Sequence, residues 1–409
     1  MFVAFRGGAQ VSDETEVKAY LASVLRLENV GLLLGAGASV GAGGRTVAQL
    51  WEQFVANRAA DAEWLNEHQF VADDEIAFDA ENDTHPEPPN VEKMLDTLAV
   101  AIAEWERSGD VRANPAKAVR GNLFREVVEA AKLQAAWWGE RGANLEDDQL
   151  ADHRTILQKF SAARQPGQPA PWVFTTNYDL AIEWAAESID MSVINGFIGV
   201  HGRRFSPQSF DLAFRNRQAQ GEARFGVYNL YLAKLHGSLT WKECADGTLI
   251  EATAPQANTQ IEAFMRGERD ELGFMVLPSA AKYMQTTGYV LGEVFRRFAE
   301  FLAQPQTCLV INGYGFGDEH INRLLLSALL NPTLQIVVYL PEFQRLDQPE
   351  LPRTVKKILS LRNPRVTVVG GNPEAFLSGL AKHLPEPTIY DESLSAIKRV
   401  LAERPEGEE

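Results

Sequence analysis

The chain has 409 residues, 45% of them apolar and 23% charged, the balance of a globular protein with a large core and two or three structural units. A net charge of −16, from 55 acidic and 39 basic residues, argues against broad electrostatic binding of nucleic acid, and none is expected directly. Cys244 and Cys308, far apart in sequence, can build neither a disulfide framework nor a cysteine zinc site.

The opening MFVAFRGGAQVSDETE lacks the apolar core of a signal peptide. No window approaches the roughly 18 apolar residues of a membrane helix, so no membrane contact and a cytoplasmic location are expected. A short apolar patch, Phe2 to Phe5, precedes a capped helix. There Ser12 stands before Glu16, and Val17, Leu21, Val24 and Leu25 recur at helical spacing. Val30 to Leu34 reads as a buried strand, although periodicity alone leaves a buried helix open. Gly35-Ala36-Gly37-Ala38-Ser39 follows. Gly35 and Gly37 permit positive φ and remove Cβ atoms that would block a ligand, and Ser39 can cap a following helix. A strand, a glycine turn and a helix N-terminus offer N–H groups and a positive dipole end to a phosphate. The spacing is G-x-G-x-x-x-G, not the usual G-x-G-x-x-G. On the glycines alone, a pyrophosphate site and a turn that merely lets a helix pack close to a sheet both stand. Thr46 to Arg58 reads as an amphipathic helix.

Residues 59–165 carry almost no strand signal. Val91 to Trp105, Val119 to Trp138 and Asp147 to Ala163 read as helices, and the acidic run from Asp73 to Asp83 as a solvated loop. A Pro/Gly linker, 165–171, closes the block. Short apolar runs then alternate with helical segments. Strands are expected at Trp172–Phe174, Ser192–Ile194, Leu230–Leu235, Phe274–Leu277, Thr307–Ile311, Leu334–Tyr339 and Val366–Val369. Helices are expected at Leu180–Glu187, Tyr289–Leu302, Glu319–Leu329 and Pro373–His383. This alternation predicts an α/β fold with a doubly wound, Rossmann-like parallel sheet, a helical insertion and a C-terminal extension. Binding residues should sit at the carboxyl ends of its strands.

Four strand ends carry polar or small residues: Gly35 to Ser39; Thr175-Thr176-Asn177-Tyr178-Asp179; His236-Gly237-Ser238; and Asn312-Gly313-Tyr314-Gly315-Phe316-Gly317-Asp318. Taken singly, Asn177 and Asp179 suit a turn or a cap, His236 a satisfied core histidine, and Asp318 a helix cap. Their joint occurrence at successive strand ends points to one shared crevice.

GAGAS, TTNYD, LHGS and NGYGFGDEHIN together resemble the sirtuin-like family, and most closely its prokaryotic branch in anti-phage defence. The Pro278-Ser279-x-x-Lys282-Tyr283 stretch is similar to that branch too. The resemblance covers roughly residues 28–58 and 170–340 and implies a sirtuin-like Rossmann domain of residues 1–58 and 170–340; the helical insertion of 59–169 and a C-terminal α/β extension of 341–409 lie outside it. It implies NAD+ as substrate. Asn177 would hold the ribose or a water, His236 would be the general base, and Asp179 would contact the nicotinamide side or orient Asn177. Gly35, Ala36, Gly37, Ala38 and Ser39 would cradle the pyrophosphate beside Thr176. Asn312, Gly313, Tyr314, Gly315, Phe316 and Asp318 would line the adenosine half. The four-cysteine zinc ribbon of typical sirtuins cannot be built here, so no zinc is expected. The GIPDFR segment of deacetylases is replaced by Gly43-Gly44-Arg45-Thr46-Val47. The implied activity is NAD+ hydrolysis to ADP-ribose and nicotinamide, gated by a partner such as a HerA-type ATPase, in a homo-oligomer. A protein deacylase and a non-catalytic NAD- or ADP-ribose-binding subunit are the alternatives.

Overall fold

The computed structural model describes residues 2–78, 85–86, 88–165, 167–221, 227–244, 246–269 and 286–386. The expected strand at Phe274–Leu277, the Pro278–Tyr283 motif, part of the acidic run and the C-terminal tail lie outside the described residues. The first half holds β1 (Val3–Arg6), β2 (Ala9–Gln10), α1 (Glu14–Val24), β3 (Asn29–Leu34), α2 (Val47–Asn57), α3 (Ala59–Glu67), α4 (Val91–Ser108), α5 (Ala113–Lys132) and α6 (Ala151–Ala162). Next come β4 (Trp172–Thr175), α7 (Ala181–Ser188), β5 (Ser192–Ile194), β6 (Phe197–Ile198), β7 (Arg203–Phe205), β8 (Asn229–Lys234), β9 (Trp241–Glu243), β10 (Leu249–Glu251) and α8 (Ala254–Met265). The chain continues through α9 (Thr286–Ala303), β11 (Thr307–Asn312), α10 (Glu319–Ala328), β12 (Gln335–Tyr339), α11 (Arg353–Ser360), β13 (Val366–Gly370) and α12 (Leu377–His383).

The apolar runs assemble into one sheet of order β2-β1-β13-β12-β11-β3-β4-β8-β5. All pairs from β13 to β5 are parallel, and β1 joins β13 antiparallel. With β5 left aside at the edge, the parallel strands follow the order 3-2-1-4-5-6 when numbered along the chain from β3. This is the doubly wound, Rossmann-like α/β fold. Because side chains alternate along a strand, each strand feeds two cores. Leu32 and Leu34 of β3, with Cys308 and Val310 of β11, face α1, α6, α7 and α12. Leu33 of β3, with Leu309 and Ile311 of β11, faces α9, α10 and α11. Burying each such Leu or Ile stabilises the fold by roughly 1.5–3 kcal/mol.

Helices α2 to α5 bury a separate apolar cluster around Trp51, Phe54, Leu98 and Leu123. A fourth cluster ties this block to the sheet's loops. Trp137, Trp138, Val128 and α8 residues Ile261 and Phe264 pack there with Ala42, Leu180, Ala181 and Leu239. Those last four residues follow the glycine loop, the NYD turn and the HGS turn, so the helical block rests directly on three of the four strand-end loops.

Several local expectations change. Asp13, not Ser12, caps α1, its Oδ1 accepting from Glu16 N at 3.1 Å. The segment expected as one helix, Val119–Trp138, is broken: α5 ends at Lys132, Leu133 turns left-handed (φ 56°), and a 3-10 turn spans Ala135–Trp138. β1, β2 and a four-stranded antiparallel sheet, β6-β7-β10-β9, were not among the expected strands.

Candidate active site

The registers bring the four strand ends side by side. Asn312 pairs with Leu34, Leu34 with Thr175, and Thr175 with Lys234, so β11, β3, β4 and β8 finish level with one another. The chain reverses direction across the sheet between β3 and β11, the switch point where ligands of such sheets bind.

Ser39 does not cap a helix. After Leu34 the chain enters a 3-10 turn, Ala36–Ala42, that ends at Gly43 in the left-handed region (φ 99°). Helix α2 has its own capping box, with Gln49 N donating to Thr46 Oγ1 at 3.2 Å and Thr46 N donating to Gln49 Oε1 at 2.9 Å. Ser39 serves the neighbouring strand end instead. Its hydroxyl donates to Asp179 Oδ2 at 2.7 Å and accepts from Asn177 Nδ2 at 2.9 Å. Asn177 Nδ2 also donates to Gly35 O at 3.0 Å. Both amide protons are thereby used, and the Asn177 carbonyl oxygen is the part left for a ligand or a water. Asp179 Oδ1 accepts from Ala181 N at 3.0 Å, opening α7. Asp179 is therefore a buried brace behind Asn177, with both oxygens engaged.

The glycines act differently from the sequence expectation. Gly35 sits at φ −111°, whereas Gly313 in the facing turn is left-handed (φ 66°). A Cβ on Gly35 would come within 2.5 Å of Gly313 O, and one on Gly313 within 2.2 Å of Ala38 N. Gly35 N donates to Asn312 O at 3.1 Å and Gly37 N to Gly313 O at 3.0 Å. Two N–H groups expected to meet a phosphate are thus spent on the facing turn.

That turn braces itself. Tyr314 and Phe316 are buried in the core under α9 and α10, while Gly315 and Gly317 are exposed. The Tyr314 hydroxyl donates to Asp318 O at 3.2 Å, and Asn322 Nδ2 donates to Phe316 O at 2.8 Å. Asn312 is buried, with Nδ2 donating to Ala375 O at 3.2 Å and no partner for its Oδ1 among the described residues. Ala36, Gly37, Thr176, Asn177, His236 and Gly313 are half-exposed and, with exposed Gly315, form the accessible part of the group.

His236 follows β8, and its Nε2 lies 2.8 Å from Asp318 Oδ2. Asp318 Oδ1 caps α10 by accepting from His320 N at 2.7 Å and Ile321 N at 3.2 Å. Burial pushes the Asp318 carboxyl upward, but the His236 bond and charge, with these two amides, outweigh it and hold it below the usual carboxylate range.

Two further groups escaped the sequence reading. Lys234, the last residue of β8, is buried and donates to the Asp179 carbonyl and, at 3.0 Å, to Glu183 Oε1. Burial raises the Glu183 carboxyl against the opposing pull of Lys234. A lone lysine closing an apolar strand just before the HGS turn was the available signal. The second group is His153 of α6, fully enclosed, with no partner for Nδ1 among the described residues. Burial lowers its pKa against the charge of Asp179, so it is neutral behind the site.

Residues 171–359 match the family model of the SIR2-like domain. The match supports a sirtuin-like family. It spans less than half of the chain, running from the start of β4 to α11, and includes TTNYD, HGS and NGYGFGD but not the glycine loop. SIR2-like domains use NAD+, so the likeness points to NAD-related chemistry. No curated protein matches the chain. Among the described residues no helix is long and apolar enough to cross a membrane.

Proposed function

We propose that the protein is an NAD+ glycohydrolase that releases nicotinamide and ADP-ribose, with Asn177 and His236 at its centre. The observation that carries this reading is their placement two residues beyond a level pair of strand ends, Thr175 and Lys234, beside the switch point. The residues suit a dinucleotide. Half-exposed backbone at Gly37 and Gly313 flanks the switch point, and the Asn177 carbonyl is left as an acceptor by the Ser39 and Gly35 bonds.

NAD+ supplies a cationic leaving group on the ribose, so departure of nicotinamide needs little acid catalysis. The chain must then fix the pose, support developing positive charge and move one proton. Asn177 Oδ1 holds a water or a ribose hydroxyl near the reacting carbon. His236 takes a proton from that water or hydroxyl, a task suited to an imidazole near neutrality. Ser39 and Asp179 keep the Asn177 amide from rotating. Water is the acceptor in this reading because the sequence lacks the zinc module that walls the acyl-lysine groove in typical sirtuins.

Unrestrained NAD+ loss would kill the producing cell. The activity therefore fits a defence role in which infection, acting through a partner such as a HerA-type ATPase or through homo-oligomer assembly, releases it. The test is an NAD+-depletion assay of the wild type, Asn177→Ala and His236→Ala, with and without the neighbouring gene's product. Each substitution is expected to lower turnover by roughly a hundredfold or more. Turnover unchanged in His236→Ala overturns the mechanism.

A further inference from the structure

We infer that Asp318 is the positioning residue for His236, holding the imidazole Nε2–H and so fixing which ring nitrogen carries the proton. The family resemblance places Asp318 among the groups lining the adenosine half. The geometry turns it toward the histidine instead. The inference rests on the proposed hydrolase reading only where it concerns turnover.

Asp318 is tied through its carboxylate and its backbone carbonyl. Oδ1 accepts the His320 and Ile321 amides, at 2.7 and 3.2 Å, as the N-cap of α10. The residue's own carbonyl accepts the Tyr314 hydroxyl at 3.2 Å. Oδ2 is left pointing at His236 Nε2, 2.8 Å away. Asp318 is 7% exposed and His236's side chain 16%, so water competes weakly for the bond. An ionised carboxylate only accepts, so Nε2 must donate. In the neutral imidazole the lone pair then belongs to Nδ1. Two elements meet in this contact, the turn after β8 and the N-terminus of α10. It therefore also sets the distance between the HGS turn and the GYGFGD turn.

A cap alone would give Asp318 a purely structural role, and the Asn variant separates the two. Asparagine caps a helix as well as aspartate does, so Asp318→Asn keeps α10 while removing the charge that orders the imidazole. Asp318→Ala loses both. Nitrogen-15 histidine spectra of the wild type are expected to show His236 in the single Nε2–H tautomer, its signal assigned by its loss in His236→Asn. In Asp318→Asn that signal should change to a mixture of tautomers or to the Nδ1–H form. Turnover of NAD+ should fall by roughly a hundredfold in Asp318→Asn, with KM little changed. An Asp318→Asn protein with the wild-type tautomer and the wild-type kcat overturns the assignment. A wild type that hydrolyses no NAD+ even with the neighbouring gene's product defeats the proposed function, and the tautomer spectra then decide the pairing by themselves.

Discussion

Gly313 meets Ala38 backbone to backbone: a Cβ on Gly313 would stand 2.2 Å from the Ala38 nitrogen. Residues almost three hundred positions apart thereby lock the glycine loop after β3 to the turn after β11. Gly313 also holds φ 66°, which a side chain adopts only with strain. Gly313→Ala is expected to cost about 1–3 kcal/mol and to lower the affinity for ADP-ribose. Gly315, two residues on, has open space where a Cβ would go. Gly315→Ala should leave the unfolding midpoint close to wild type. Denaturant melts of the pair check this, and equal losses would contradict the packing role given to Gly313.

Ser39 is the hinge between Asn177 and Asp179. Ser39→Ala leaves Asp179 Oδ2 buried without its donor and frees one Asn177 amide proton. The expected loss is about 1–3 kcal/mol of stability. Turnover should drop by roughly ten- to a hundredfold as the Asn177 carbonyl loses its fixed aim. Calorimetry and steady-state rates measure the two effects separately.

Lys234 and Glu183 form a buried pair behind the NYD turn. Lys234→Met removes one partner only, which is expected to cost about 3–5 kcal/mol. The pH dependence has a definite sign. The folded Glu183 carboxyl titrates above its ordinary value of 4.5, so its stabilising contribution is complete below that pH and is lost as pH rises through the folded value. Lys234 opposes the rise, so Lys234→Met pushes the folded value higher and widens the window. The deficit of Lys234→Met against wild type should therefore grow from pH 5 to pH 8. Lys234→Met with Glu183→Gln should flatten that dependence. Urea midpoints across the range provide the check.

The parallel sheet was legible because its strands are buried on both faces and appear as apolar runs, as in Val30–Leu34 and Cys308–Ile311. The small sheet was not, since strands of two or three residues such as Phe197–Ile198 carry no period. β1 was hidden for a different reason: it has only four residues, and one of its two partners, β13, lies at the other end of the chain. At the site, the order of the strand ends showed which residues would meet, and Asn177, His236 and Ser39 do stand on adjacent strand ends. What each side chain does was less legible. That Gly35 exists to clear Gly313, that Ser39 serves Asn177 and not a helix, and that Asp318 faces His236 all depend on which strand lies beside which. Lys234 and His153 were missed because a single polar residue in an apolar segment looks the same whether it faces water or a buried carboxylate.

The most direct measurement is product analysis by chromatography after NAD+ is incubated with the purified chain and its neighbouring gene's product. The account predicts nicotinamide and ADP-ribose in equal amounts, formed without any acylated peptide and lost in His236→Ala. Nicotinamide release that requires an acyl-lysine peptide and yields only O-acyl-ADP-ribose would contradict it.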